Sequence, residues 1–416
     1  MKVVILAALL ATTSTTAAET LAVVGARVHV RPGQTLENAT VIIDGGKVKA
    51  VGVGLAVPAG ARVIDGKNKV VTAGFIETTS GVGLMAIQQE AASNDGDLGA
   101  RDDVHDDPVH AAYDARDGFD PHGVTVAVAR GGGLTGVVAA PDGGLIAGRS
   151  VTWTLDGASE PVTAPSAMYA QLGSAGGGAV GGSRGRAIEL LREVLDDARV
   201  YGRDRAAYER NARRQMVGDR LDLEALQPVL RGVMPLVVNA HAEADIRAAL
   251  RLARDLKLRL VITGGTESWR VATELARAKV PVVLDPTDNL PRMLEAGDVR
   301  DDRVAILAKA GVAVAVSTLG NGLQARTLRQ LAGVAVTTGL TWEQALAAVT
   351  TVPAAIHGLT GRGTVEKGAI ADVVVWSGDP LELSTAAEIV IIGGVVQPNV
   401  NHQTRLLERY RTLPPK

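Results

Sequence analysis

The sequence predicts an α/β protein: a (β/α)8 TIM-like barrel inserted into a small β-sandwich domain that is formed from both ends of the chain. Three observations carry this expectation. From residue 74 to residue 363, short apolar segments rich in Val, Ile and Leu alternate with amphipathic helical stretches. That rhythm belongs to parallel strands buried on both faces. The flanks on either side, residues 19–73 and 364–400, alternate with the strand period and are punctuated by glycine turns. The length of 416 residues suits one barrel-sized domain with a smaller companion.

Taken in order, the chain opens with Lys2, an apolar run over residues 3–11, and small and polar residues to Ala18. The order positive, apolar, small is that of a secretory signal peptide, with cleavage after Ala17 or Ala18 and a periplasmic or secreted product. The apolar run is too short to span a bilayer, so no membrane anchor is expected; the competing reading is a buried N-terminal strand. Residues 21–30, 39–43, 47–51, 62–64 and 69–72 read as strands. Asp44-Gly45-Gly46 closes a hairpin between the second and third.

Beyond Gly74, residues 124–129 read as a strand and residues 173–185, dense in glycine, as a flexible loop. A helix follows over 184–201, with Ser183 as its N-cap. Strands are expected at 235–240, 259–263, 281–284 and 312–317. Helices are expected at 243–256, 268–278, 299–310, 323–338 and 342–350, the last opened by a Thr341/Gln344 capping box. Residues 364–376 and 389–396 return to the strand pattern, and residues 401–416 form a polar tail with a helical stretch.

Composition excludes several functions. There is no Cys, which rules out disulfides, thiolate metal sites, a cysteine nucleophile and a lipid-bearing N-terminal cysteine. The 43 Lys+Arg nearly balance the 45 Asp+Glu, so a nucleic-acid partner held by phosphate neutralisation is not expected. Any metal chemistry falls to the 7 His and the carboxylates.

Four segments, in this order, resemble the amidohydrolase superfamily over residues 21–396. They are the hairpin around Ile42-Ile43-Asp44-Gly45-Gly46-Lys47, the barrel entry Thr72-Ala73-Gly74-Phe75-Ile76-Glu77, the late helices Leu340-Thr341-Trp342-Glu343-Gln344-Ala345 and Thr351-Val352-Pro353-Ala354, and the return Val365-Glu366-Lys367-Gly368-Ala369-Ile370-Ala371-Asp372. The nearest flavour is the imidazolonepropionase-like branch of cyclic-amide hydrolases. The resemblance implies a hydrolase of carbon–nitrogen bonds other than peptide bonds, with one or two divalent metal ions (zinc) at the C-terminal ends of the barrel strands.

The expected ligands are largely missing. The His-x-His pair that should follow Glu77 on strand one is occupied by Thr79 and Gly81. The strand-six histidine is absent from residues 260–267, and the strand-eight aspartate position falls at Leu319. His241, at the end of an apolar strand, matches the strand-five ligand. One imidazole does not hold a catalytic zinc, so no metal ligand set and no cofactor are expected from the residues present. The residues singled out are His241, Glu77 and Glu267 as catalytic candidates, and Glu243, Thr79 and Thr318 as substrate-binding candidates. The alternative is an inactive barrel that binds a small molecule and forms a homo-oligomer or pairs with an active paralogue.

Other motifs carry less. Residues 94–120, with Asp102, Asp103, His105, Asp106, Asp107 and His110, read as a solvated loop that could lie over the barrel mouth as a lid. Gly181-Gly182-Ser183-Arg184-Gly185 has the letters of a nucleophile elbow but no strand before it. Gly131 to Gly136 has the letters of a dinucleotide fingerprint after an expected strand, but no helix start behind it. His29, His122, His357 and His402 read as structural or surface residues.

Overall fold

A computed structural model describes residues 19–87, 89–99, 107–212, 214–291 and 294–412. The expected signal peptide, residues 1–18, and residues 100–106 of the Asp/His-rich segment lie outside the described residues. The chain begins with β1 (Leu21–Arg31), β2 (Gln34–Asp44), β3 (Lys47–Val53), β4 (Arg62–Asp65) and β5 (Val70–Ala73). It then crosses into β6 (Phe75–Ser80), β7 (Leu134–Ala139), β8 (Ile146–Thr154), β9 (Thr163–Gln171), β10 (Leu236–Ala240), β11 (Leu260–Gly264), β12 (Val282–Leu284) and β13 (Val314–Val316). It returns through β14 (Val373–Trp376), β15 (Ala387–Ile392) and β16 (Val395–Val396).

Both ends of the chain supply the first sheet, in the order β16-β15-β14-β5-β1-β2-β3, with β4 also on β1. A sandwich was the expectation; the strands instead form one continuous eight-stranded sheet. The reason lies in β1. Register shifts near Gly25, between Val24 and Ala26 and again before Val28, bend it. Its first half pairs with β4 and its second half with β5, both in parallel. Bulges of this kind bend a strand and raise its twist. The sheet has its own apolar core, in which Val23, Val28, Val41, Val71, Val373 and Ile391 are fully enclosed.

The second sheet has eight strands in the order β13-β12-β11-β10-β9-β8-β7-β6 and is nearly closed into a barrel. Closure between β6 and the segment after β13 comes from one bridge, Ser80 with Gly320, and the bonds Gly81 N–H to Gly320 O (3.1 Å) and Gly320 N–H to Thr79 O (2.9 Å). The barrel departs from eight parallel βα units. β8 runs antiparallel to both β7 and β9, so β7–β8–β9 is a meander with no helices between its strands.

Three further expectations are corrected. Residues 124–129 are not a strand but part of the helix Val124–Gly131. Its Val and Ala residues wind so that Thr125, Val126 and Ala129 face inward, and this one-sided burial overrides β-propensity. Accordingly the glycines from Gly131 follow a helix. Residues 173–179 are a helix, Gly173–Ala179, rather than a flexible loop. It packs so close to the end of β9 that a Cβ on Gly176 would lie 2.2 Å from the Gln171 carbonyl oxygen. Its glycines therefore serve close approach as much as flexibility. The return strand begins only at Val373, not at residue 364.

Many expected helices form where the pattern placed them. Ser183 accepts from the Arg186 N–H to open Arg184–Arg203. Glu243–Leu256 matches its expected span, and the Thr341/Gln344 box opens Trp342–Val349. The barrel axis is filled by small and branched residues, including Ala167, Val237, Val261, Val283 and Ala315. The two sheets interlock through Trp376 of β14. Its ring lies 5.1 Å from Phe75 of β6, and its Nε1–H donates to Thr72 Oγ1 at 2.9 Å.

Candidate functional site

At the C-terminal end of the barrel the axial residues change from apolar to polar. Thr79 of β6, Tyr169 and Gln171 of β9, Asn239 of β10, Thr263 of β11 and Leu319 beyond β13 line a narrow slot of about 60 Å³. Each polar group sits at a strand end because inward positions recur every second residue: Val237 then Asn239, Val261 then Thr263, Ala167 then Tyr169 and Gln171. The slot shares Asp142 and Gln171 with an outer cleft of about 670 Å³. That cleft is also lined by Asp97, Asp107, His110 and the helix Gly173–Ala179. Asp142 lies on the tight β7–β8 connection, and its carboxylate accepts from the Gly143 N–H (2.8 Å) and from the Gln171 side chain. The described part of the Asp/His-rich segment thus borders the mouth of the barrel.

Glu77 is completely buried. Its carboxylate accepts from Ser317 Oγ, the Thr318 N–H (3.0 Å), Thr318 Oγ1 (2.9 Å) and the Thr79 N–H (3.4 Å). No cation pairs with it among the described residues, and burial outweighs these donors, raising its pKa from 4.5 to about 7. Glu77 and Thr318 therefore bind each other across the seam where the barrel closes. Thr79 does face the slot; its hydroxyl lies 3.2 Å from the Tyr169 hydroxyl, which also donates to the Thr78 carbonyl at 3.0 Å. Burial pushes the Tyr169 phenol up, keeping it protonated and able to donate.

His241 stands two residues beyond Asn239, just past the end of β10. Its Nδ1 is 2.7 Å from Thr266 Oγ1, and burial lowers its pKa, opposed by the carboxylates of Asp288, Glu295 and Asp245. Glu267 accepts from the Glu243 N–H at 2.8 Å and so caps the helix Glu243–Leu256. Glu243 itself pairs with Arg247 on the helix surface. Glu267 and Glu243 line a separate polar depression of about 370 Å³, together with Arg184, Arg247 and Glu295. The structure thus splits the six sequence candidates: Glu77, Thr79 and Thr318 meet at the seam, His241 stands above β10 and β11, and Glu267 and Glu243 meet at a helix start.

The residues that line the slot, Tyr169, Gln171, Asn239 and Thr263, escaped the sequence reading. Asn239 and Thr263 are polar interruptions in otherwise apolar strands, a readable signal. Tyr169 and Gln171 lie on β9, a strand whose pattern is broken by Pro165 and Ser166.

Divalent metals serve the amidohydrolase family generally. In this chain the strand ends offer a single imidazole at His241, hydroxyls at Thr79 and Thr263, amides at Gln171 and Asn239, and no donor side chain at Gly81, Gly264 or Leu319. Among the described residues no group of three or more His, Asp or Glu side chains converges to hold an ion. This donor set does not fit zinc, which takes imidazole, thiolate and carboxylate ligands.

The amidohydrolase family model matches residues 308–397, the late barrel helices and the return strands. No curated protein matches the chain. Among solved structures, the chain is similar to an amidohydrolase from Thermotoga maritima MSB8 at 27% identity and TM-score 0.82, covering 90% of this chain and 99% of that one. A molinate hydrolase matches at 18% identity and TM-score 0.59 over 96% of this chain and 98% of its own. An atrazine chlorohydrolase from Arthrobacter aurescens TC1, complexed with zinc, matches at 17% and 0.51 over 94% and 99%. The last two likenesses concern the fold.

Proposed function

Because the chain belongs to the amidohydrolase superfamily, a family of hydrolases, we propose that it is an exported hydrolase of carbon–nitrogen bonds other than peptide bonds, acting on a small cyclic amide at the barrel mouth. The observation that carries this reading is His241, two residues beyond the slot-lining Asn239, although it is not itself among the residues that line the slot. Burial holds its imidazole neutral near pH 7, and the bond to Thr266 fixes its orientation. With Nδ1–H donated to Thr266, Nε2 carries the lone pair. It can take a proton from water as the oxygen adds to the amide carbonyl, and return that proton to the nitrogen as the C–N bond breaks. Thr79, Tyr169, Gln171 and Asn239 supply hydrogen bonds to orient an uncharged amide in the slot, and the outer cleft accommodates the rest of the molecule. Since the donor set does not fit a metal, no step is assigned to one.

A second reading draws on Glu77. Its carboxylate is spent on Ser317, Thr318 and Thr79, in keeping with a barrel that only holds its ligand, alone or paired with an active paralogue. A panel of lactams, hydantoins and imidazolones, assayed for ring opening and for thermal stabilisation, separates the two. The hydrolase predicts turnover that falls at least ~100-fold in His241→Ala, the scale of a lost general base, while stabilisation by the same compound persists. Stabilisation without turnover selects the binding barrel. Neither response would refute both. Export is checked by N-terminal sequencing of chain recovered outside the cytoplasm, expected to start at Ala18 or Glu19.

A further inference from the structure

We infer that the superfamily's metal position is closed in this chain by backbone and by the His241 ring, so that it is not an ion site awaiting its ligands. The inference stands whether the mouth turns over its ligand or only holds it.

The first piece of evidence is at the seam. The second member of the missing His-x-His pair falls at Gly81, and a Cβ there would lie 2.9 Å from the Gly320 carbonyl oxygen. That oxygen cannot withdraw freely, because it accepts from the Gly81 N–H at 3.1 Å. Two residues on, a Cβ at Gly322 would lie 2.8 Å from the Gly81 carbonyl carbon. The segment 317–322 therefore runs in parallel against the end of β6, and its Gly320 carbonyl stands where a side chain at residue 81 would begin. Its path is fixed from both sides. Glu77 holds Ser317 and Thr318 from beneath, and the Gly320 N–H donates to the Thr79 carbonyl at 2.9 Å. To follow this path Leu319, at the strand-eight aspartate position, takes a left-handed φ of 48°, a conformation a non-glycine residue keeps only when its surroundings impose it.

The second piece lies across the barrel. At the end of the sixth strand, Gly264 has φ +78°, and a Cβ on it would lie 2.6 Å from His241 Cε1 and 2.7 Å from Nε2. The surviving strand-five imidazole covers the place from which a strand-six side chain would project. Restoring a histidine at Gly81 or Gly264 thus meets backbone in the first case and the remaining imidazole in the second.

The test is ion stoichiometry. Purified full-length mature chain is incubated with excess zinc chloride, freed of loose ion by gel filtration and measured by inductively coupled plasma mass spectrometry, beside Thr79→His and the double variant Thr79→His/Gly81→His. The expected result is far less than one zinc per chain in the wild type and in Thr79→His, with a lower melting temperature for the double variant. One or two retained ions per chain in the wild type would overturn the inference. So would a double variant that melts like the wild type and retains one ion. If the double variant does not fold, the wild type and Thr79→His still decide the matter.

Discussion

At the scale of single residues, two buried ionisable groups face opposite ways. Glu77 is raised to about 7. The folded chain therefore keeps a proton that the unfolded chain gives up from about pH 4.5, and stability is lost as pH rises through that window. His357 is buried, with no partner on Nδ1 among the described residues, and burial lowers it to about 4. The unfolded chain takes up its proton first, so stability is lost as pH falls from 6.5. Each shift corresponds to about 3 kcal/mol, and over pH 4.5–6.5 the two slopes oppose. Urea unfolding of Glu77→Gln is predicted to show stability rising with pH across this range. His357→Gln should show it falling. Parallel profiles for the two variants would remove the assignment. Both residues are visible in the sequence, but neither environment is: Glu77 stands as a catalytic candidate just ahead of the place where the resemblance puts the His-x-His pair, and nothing local announces that Ser317, 240 residues away, will bind it.

At the scale of elements, the helix Gly173–Ala179 offers a paired experiment. Gly176 abuts the backbone at the end of β9, whereas a Cβ on Gly178 meets nothing within 4 Å. Gly176→Ala should destabilise the chain by roughly 1–3 kcal/mol through overpacking, and Gly178→Ala should stabilise it by about 0.5–1 kcal/mol through helix propensity. Equal effects in thermal unfolding would show that the glycines act only through flexibility. This helix also marks the limit of what was legible. Composition announces a loop, because glycine content says nothing about which backbone lies alongside. The helices at Arg184–Arg203, Glu243–Leu256 and Trp342–Val349 were legible because their apolar period and caps are local. The β7–β8–β9 meander was not, because the barrel rhythm argued for parallel strands and Val124–Gly131 took the strand-like sequence into a helix.

At the scale of the whole molecule, the two sheets share structure more than a division into domains suggests. β14 pairs with β5, the strand that leads directly into β6. Trp376 is fully buried against Phe75 and so near Gly133 that a Cβ there would lie 2.1 Å from the ring. Trp376→Ala is predicted to cost about 3–5 kcal/mol, as for other buried aromatics. A chain ended at Gly363 should fail to give a soluble product with native-like far-ultraviolet circular dichroism; a folded, monodisperse barrel from it would show that the sheets stand alone. The β8 reversal has a kinetic consequence. A meander of adjacent strands closes small loops and forms early, whereas the Glu77–Ser317 seam joins residues 240 apart and must wait for everything between. The mouth would then be the last part of the barrel to assemble, and the first to exchange its amide protons when the native chain opens.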